Sequence, residues 1–170
     1  IGKVIVIVGS GKFTKFLVRN LDKKNYLVIS GSKNKDSKIV YAGKNLCKIN
    51  YLKLPPNVSH CIINWSYTFI NKFSNFKDVI SGFENLSNFI QNNPKVKYVF
   101  ISSTSSDSAV NKYSLYGLSK FMAEDIFFKL KLKKPKLNIQ IVRLGMIYGL
   151  ENCPIRKILS FRKLYIEIYP

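Results

Sequence analysis

The sequence predicts an α/β fold in which a doubly wound parallel sheet carries helices on both faces. Short apolar runs alternate with amphipathic stripes whose apolar residues recur at helical spacing. The apolar runs do not alternate with polar residues, so both faces of each strand should be buried, which is typical of parallel sheets. With 170 residues, 46% of them hydrophobic, the chain can form a domain with a substantial core.

Each predicted element follows from its local pattern. Strands are predicted at Lys3–Val8, Tyr26–Ser30, Leu46–Ile49 (the weakest), Cys61–Ile63, Tyr98–Ser102 and Ile139–Leu144. The first helix is indicated by Phe13, Phe16, Leu17 and Leu21. The second is indicated by Phe76, Val79, Ile80, Phe83, Leu86 and Ile90, and it should stop near Pro94. The third is indicated by Leu118, Met122, Ile126 and Leu130, and Pro135 should close it.

The formal net charge of +19 comes mainly from lysine spread along the chain. Its densest run, residues 129–136, falls where the third helix should end, and cations are favourable at a helix C-terminus. A solvated basic surface is the favoured interpretation, and nucleic acid is not the expected partner. A polyanion-binding site stays open as the alternative.

Other composition signals narrow the function classes. No apolar run approaches the ~20 residues that span a bilayer, and no signal peptide is visible, so neither a membrane partner nor secretion is expected. Cys47, Cys61 and Cys153 match no metal spacing and are expected to be reduced thiols in a cytoplasmic protein. His60 is the single histidine, which disfavours a histidine-based triad or metal site.

A glycine turn follows the first predicted strand and opens the first helix. It reads Gly9-Ser-Gly11-Lys-Phe-Thr14, the dinucleotide fingerprint with threonine in place of the third glycine. Gly9 would make the tight turn, and Gly11 would let the backbone approach a pyrophosphate at the helix N-terminus. The predicted phosphate-binding residues are Gly9, Ser10, Gly11, Lys12 and Phe13. Thr14 counts against close packing of helix and strand at this point.

The end of the second strand lacks the carboxylate that would bind the ribose 2′-hydroxyl of NAD. The segment reads Ile29-Ser-Gly-Ser-Lys33, and a hydroxyl and a cation at Ser32 and Lys33 suit a 2′-phosphate better. NADP is therefore the favoured cofactor and NAD the open alternative. An ordinary basic loop is the competing interpretation.

Tyr116 and Lys120 lie four residues apart and therefore on one face of the third helix. A nearby cation favours the phenolate form of a tyrosine, and Thr104, at the end of a strand, could hydrogen-bond the same substrate oxygen. This set suits proton exchange with an alcohol or carbonyl while a nicotinamide exchanges hydride. The predicted catalytic residues are Thr104, Tyr116 and Lys120.

Taken in order, these motifs resemble the extended short-chain dehydrogenase/reductase family of nucleotide-sugar epimerases, dehydratases and reductases. The resemblance covers roughly residues 3–150 and rests on Gly9–Thr14, Ile62–Ser66, Ser102–Thr104, Tyr116–Lys120 with Glu124, and Arg143–Gly149. The run Asn64–Lys72 is similar to dTDP-4-dehydrorhamnose reductases in particular.

The resemblance implies a Rossmann-like NAD(P)-binding domain at residues 1–150. Residues 151–170 would then begin a truncated or absent substrate region. It also implies that Tyr116 is the general acid, that Lys120 binds the nicotinamide ribose, and that Thr104 polarises the substrate oxygen. Asn64, Trp65, Ser66 and Ile147 would line the cofactor, with Tyr148 near the nicotinamide.

The resemblance further implies a nucleotide-linked sugar as substrate and the helices at 76–92 and 113–131 as candidates for a homodimer interface. Among the departures from the family pattern, the glycine loop is one residue short, and Val79 replaces an expected asparagine. These departures keep open an alternative function, a catalytically reduced NAD(P)-binding regulatory or structural subunit.

Overall fold

A computed structural model describes residues 3–19, 21, 25–33, 39–65, 73–107 and 114–145. Its strands are β1 Val4–Val8, β2 Tyr26–Ser30, β3 Ile39–Tyr41, β4 Val58–Ile63, β5 Lys97–Ser103 and β6 Ile139–Leu144. Its α-helices are α1 Lys12–Arg19, α2 Phe73–Asn92 and α3 Leu115–Lys133. β2 and β6 have the predicted bounds, and the other predicted helices and strands, except the third strand, differ by a few residues at their ends.

The strands form a parallel sheet in the order β3-β2-β1-β4-β5-β6. The chain moves outward from β1 through β2 to β3 and then crosses to β4 on the other side. Val8, the last residue of β1, lies opposite Ile29 of β2 and Ile63 of β4. The strand order therefore reverses at β1, and a crevice beyond its carboxyl end is the usual ligand site of such a sheet. The predicted α/β class with a parallel sheet is confirmed.

The predicted third strand at Leu46–Ile49 is wrong. The third strand is Ile39–Tyr41, and residues 44–51 instead form two short 3-10 turns, Lys44–Leu46 and Ile49–Tyr51. Asn45 and Leu46 have positive φ, which a strand does not allow. Leu46 and Ile49 are both fully buried, so their three-residue spacing anchors a turn to the core, where the pattern alone suggested a strand.

The core lies between the sheet and the paired helices α2 and α3. Phe83 of α2 sits at its centre and makes edge-to-face ring contacts with Trp65, Phe100 and Phe127. Such aromatic pairs add about 0.5–1.5 kcal/mol each beyond the area they bury. This cluster joins the end of β4 to β5 and α3, and so sets the spacing of the elements that end at the crevice.

The third helix has clear ends. The side chain of Ser114 accepts a hydrogen bond from the Gly117 amide at its N-terminus, and the last turn carries Lys131 and Lys133 before Pro135. The basic run is thus placed where cations interact favourably with the helix dipole, as predicted. Among the described residues, no helix has the length and apolar character needed to cross a bilayer.

Candidate functional site

The glycine turn lies at the carboxyl end of β1, between the ends of β2 and β4. Gly9 has φ of 117° and a backbone amide that donates to the Ile29 carbonyl, with N and O 2.8 Å apart. A Cβ at Gly9 would come within 3.0 Å of the backbone of Asn64 and Trp65. Gly9 is therefore required twice, by its conformation and by the closeness of the neighbouring strand end.

Thr14, at the position of the usual third glycine, is accommodated. Its side chain is buried, and its hydroxyl donates to the Gly9 carbonyl at 2.8 Å. The side-chain amide of Asn64 donates to the Thr14 hydroxyl oxygen at 3.4 Å. The expectation that threonine impairs packing here is corrected, because the hydroxyl closes the turn with hydrogen bonds that glycine could not make.

Gly11 faces open space, since nothing lies within 4 Å of the position a Cβ would take. Gly11 directly precedes α1. In the first turn of this helix, Lys12 is exposed and Phe13 is half-buried. The free backbone amides of a helix N-terminus bind anions. The turn thus leaves a backbone surface that a pyrophosphate can approach.

Hydroxyls occupy the end of β2. Ser30 is buried, its hydroxyl lies 2.8 Å from that of Ser10, and it accepts from the Ser32 amide at 3.0 Å. Ser32 and Lys33 follow on the surface. The end of β2 is therefore hydrogen-bonded to the glycine turn. The exposed Ser32 hydroxyl and Lys33 ammonium are groups that can bind a phosphate.

Asn64 and Trp65 follow β4 but differ in placement. Asn64 is half-buried at the turn, and its backbone amide donates a hydrogen bond to the Val8 carbonyl, with N and O 2.8 Å apart. Trp65 is only 7% exposed and packs closely against Gly82, where an added Cβ would lie 2.0 Å from the indole ring. The indole edge also comes within 3.0 Å of a Cβ position at Gly31. Trp65 is thus part of the core where β4 ends, close to Gly31 at the end of β2.

Beyond β5, the chain makes a 3-10 turn, Thr104–Ser106, which packs against α3. The Ser103 hydroxyl accepts from the Ser105 amide at 3.2 Å, and the Asp107 amide donates to the Thr104 carbonyl at 3.1 Å. The Thr104 side chain is exposed at the end of the strand. The Thr104 side chain is therefore accessible on the surface of a turn that packs against α3.

Tyr116 and Lys120 lie in the first turns of α3. Lys120 is 2% exposed, and its ammonium donates to the Ile101 carbonyl at 2.8 Å. The same nitrogen lies 4.9 Å from the ring centroid of Phe100 and 5.9 Å from that of half-buried Tyr116. The predicted proximity of ammonium and phenol is thus present. Burial lowers the pKa of Lys120 to about 8, although the nearby Glu124 opposes that shift.

A charged cluster lies on the next turn of the same helix. Both carboxylate oxygens of Glu124 accept from Arg143 of β6, at 3.0 Å and 3.2 Å from Nε and at 2.6 Å from Nη2. The Ser106 hydroxyl lies 2.8 Å from Glu124 Oε1. Burial opposes ionisation of Glu124, but hydrogen bonds from Arg143 and Ser106 outweigh it and hold its pKa below the usual value. Glu124 therefore forms its ion pair with Arg143, while Lys120, one turn earlier on the helix, is buried.

The structure brings the predicted residues together in two groups. Around the glycine turn lie Gly9, Ser10, Gly11, Lys12, Phe13, Ser32, Lys33 and Asn64, with Trp65 in the core where β4 ends. Around the β5 end lie Thr104, Tyr116 and Lys120. Ser66, Ile147 and Tyr148 lie outside the described residues. The Ser10–Ser30 contact and the hydrogen bond of Ser106 could not be predicted from the sequence, because neither has a signal in residue spacing.

A parallel sheet with a glycine turn at its reversal point, and a Tyr-x-x-x-Lys helix beside β5, defines the Rossmann-fold short-chain dehydrogenases and reductases. Residues 68–152, half of the chain, match the family described as polysaccharide biosynthesis protein, and the chain belongs to this family of extended short-chain dehydrogenases/reductases. The predicted family is confirmed. Comparison with curated protein sequences finds no match.

Solved structures share the fold. A short-chain dehydrogenase/reductase superfamily protein of Agrobacterium tumefaciens with bound NAD has a TM-score of 0.64 and 16% identity, covering 82% of this chain and 48% of its own. UDP-N-acetylglucosamine 4-epimerase of Bacillus cereus has a TM-score of 0.59 and 19% identity, and the match covers 87% of this chain and 55% of the epimerase. The dTDP-glucose 4,6-dehydratase of Bacillus anthracis in complex with NAD has a TM-score of 0.58 and 13% identity, and the match covers 84% of this chain and 54% of the dehydratase. The chain spans about half the length of these three proteins.

Proposed function

We propose that this chain is the cofactor-binding part of an NAD(P)-dependent oxidoreductase or epimerase that acts on a nucleotide-linked sugar. The observation that carries the proposal is the buried Lys120 ammonium, held by the Ile101 carbonyl beside the ring of Tyr116. A buried cation next to a phenol at the carboxyl end of a parallel strand suits proton transfer at a bound substrate.

The bound nicotinamide would supply or accept a hydride at a sugar carbon. In the reducing direction, Tyr116 gives its phenolic proton to the carbonyl oxygen, so that the carbonyl becomes an alcohol. The Lys120 ammonium stabilises the phenolate left on Tyr116 by its charge. The Thr104 hydroxyl donates a hydrogen bond to the same substrate oxygen and helps to place it.

The glycine turn fits a dinucleotide. Gly11 and Lys12 would offer backbone amides to the pyrophosphate, since the space above Gly11 is open. Ser32 and Lys33 would bind a ribose 2′-phosphate, which favours NADP over NAD. Asn64, Ser66 and Ile147 would line the rest of the cofactor, and Trp65 would support it from the core.

A catalytically reduced subunit is not the favoured alternative. One sequence argument for it was the altered glycine turn, which accommodates Thr14 through the hydrogen bond from its hydroxyl to the Gly9 carbonyl. Val79 is fully buried in the core.

The catalytic proposal also extends to residues 151–170, which would begin the substrate-binding region.

We also propose a homodimer in which α2 and α3 meet their copies in the partner. Phe121 and Phe128 of α3 are 42% and 57% exposed and lie seven residues apart on one face of the helix, and contiguous exposed apolar surface marks interaction sites. Sedimentation at several protein concentrations tests this, with Phe128→Glu expected to shift the protein to monomer. A protein that is monomeric at all concentrations would contradict the proposed homodimer.

A cytoplasmic location stays an expectation.

The experiment that tests the cofactor is a titration of the purified chain with NADPH and NADH. Nicotinamide fluorescence and energy transfer from Trp65 report binding, and NADPH should bind more tightly. Lys33→Ala should weaken NADPH binding about tenfold, since one phosphate contact is lost, and leave NADH unchanged. Lys53→Ala, at another exposed lysine, is the matched control. Absence of binding by either cofactor would overturn the proposal.

A further inference from the structure

The carboxylate of Glu124 connects three elements that end at the proposed proton-transfer site. It lies on α3, one turn after Lys120, and its side chain is 10% exposed. Arg143 reaches it from β6 with two nitrogens, and Ser106 reaches it from the turn after β5. The carboxylate therefore joins the helix that carries Tyr116 to the turn that carries Thr104.

The turn is held partly by hydrogen bonds within it. Its amides bond to Ser103 and Thr104 at 3.2 Å and 3.1 Å. The Thr104 side chain is exposed, so its position depends on the backbone of the turn. The Ser106 hydroxyl, in contrast, is fully buried and lies 2.7 Å from the Ser103 carbonyl and 2.8 Å from Glu124. A hydrogen bond to a buried carboxylate is stronger than one between neutral groups.

We propose that Glu124 is a positioning residue that holds the Thr104 turn in place beside Tyr116 through Ser106, with Arg143 orienting its carboxylate. This inference rests on the proposed function, because the turn matters for turnover only if Thr104 contacts the substrate. Arg143 fixes the carboxylate plane by its two-nitrogen contact, which leaves one oxygen directed at Ser106. A displacement of the turn by about 1 Å could cost up to a hundredfold in rate.

The test compares Glu124→Gln and Ser106→Ala with Asp125→Asn. Asp125 is the neighbouring acid on α3 and forms an exposed ion pair with Lys129, so its loss removes a charge without touching the turn. Amide hydrogen exchange at Ser105 and Asp107 reports how firmly the turn is held. We expect exchange there to rise at least about tenfold in Glu124→Gln and Ser106→Ala, and to stay unchanged in Asp125→Asn.

Turnover separates positioning from general structural support. In Glu124→Gln, kcat should fall about tenfold or more while the Kd for the nicotinamide cofactor stays within about twofold, because the glycine turn is elsewhere in the sheet. The double variant should lose no more than either single variant, since both break one connection. Equal loss of kcat and cofactor affinity would indicate general damage and overturn the proposal.

Failure of the two proposals gives different results. If the unaltered chain binds no nicotinamide cofactor and turns over no sugar nucleotide, the proposed function fails, and hydrogen exchange still decides whether Glu124 holds the turn. If the exchange of Ser105 and Asp107 is the same in Glu124→Gln and in the unaltered chain, the positioning role is overturned, whatever the activity. Ser106→Ala keeps the ion pair and so serves if Glu124→Gln folds poorly.

Discussion

The two halves of the candidate site are built from different interactions. The loop half, which comprises the glycine turn and the ends of β1, β2 and β4, is joined by neutral hydroxyl and amide groups such as Ser10–Ser30 and Thr14–Gly9. The helix half, which comprises the ends of β5 and β6 with α3, is joined by buried charges on Lys120 and Glu124. Both halves belong to one sheet.

This difference corresponds to what each half would have to do. A pyrophosphate brings its own charge, and backbone amides with neutral hydroxyls can hold it without any group changing its protonation state. Proton transfer requires a group that can ionise, and burial beside a second charge is what tunes it. The loop half should therefore respond to changes in shape, and the helix half to changes in charge.

The largest expected effect is in the helix half, at Tyr116. Tyr116→Phe removes the phenolic proton and should lower turnover of a keto-sugar nucleotide by about a hundredfold to ten-thousandfold, while cofactor binding is kept. Tyr51→Phe, at a tyrosine that is 84% exposed, is the control and should leave turnover unchanged. A Tyr116→Phe protein with full turnover would sink the proposed chemistry.

The second prediction uses the buried charge of Lys120. Its pKa is lowered from 10.5 to about 8, so between these values the unfolded chain binds more protons, and the stability of the folded chain should rise with pH. The shift corresponds to about 3 kcal/mol. Lys120→Met should lack this rise. Urea unfolding at several pH values from 7 to 10 gives the free energy of unfolding of the unaltered chain and of Lys120→Met. If this free energy changes with pH in the same way in both proteins, the burial of the Lys120 ammonium is contradicted.

The third prediction concerns shape in the loop half. Gly9→Ala forces a side chain into a positive φ and against the β4 end, and should destabilise the fold by about 2 kcal/mol. Gly11→Ala meets nothing and should change stability by less than about 0.5 kcal/mol, but it should weaken cofactor binding because the pyrophosphate approaches there. Thermal unfolding together with the NADPH titration separates the two. Similar loss of stability in both variants would show that the loop is not open at Gly11.

Much of this organisation could be predicted from the sequence because it is local. The β2 and β6 bounds follow from apolar runs, and Tyr116 and Lys120 share a helix face by spacing alone. The third strand could not be predicted, since Leu46 and Ile49 look like strand residues until the positive φ of Asn45 and Leu46 is known. Glu124 was recognised only as part of a motif, because its partners lie 18 and 19 residues away.

The sequence by itself determined the fold class, the order of the motifs and the pairing of Tyr116 with Lys120, because these depend on residue type and short spacing. The tertiary structure alone decided that Thr14 closes the glycine turn, that Ser30 bonds Ser10, and that Glu124 joins Arg143 and Ser106. These contacts connect different elements of the fold. They form only when parallel strands bring their carboxyl ends to one edge of the sheet.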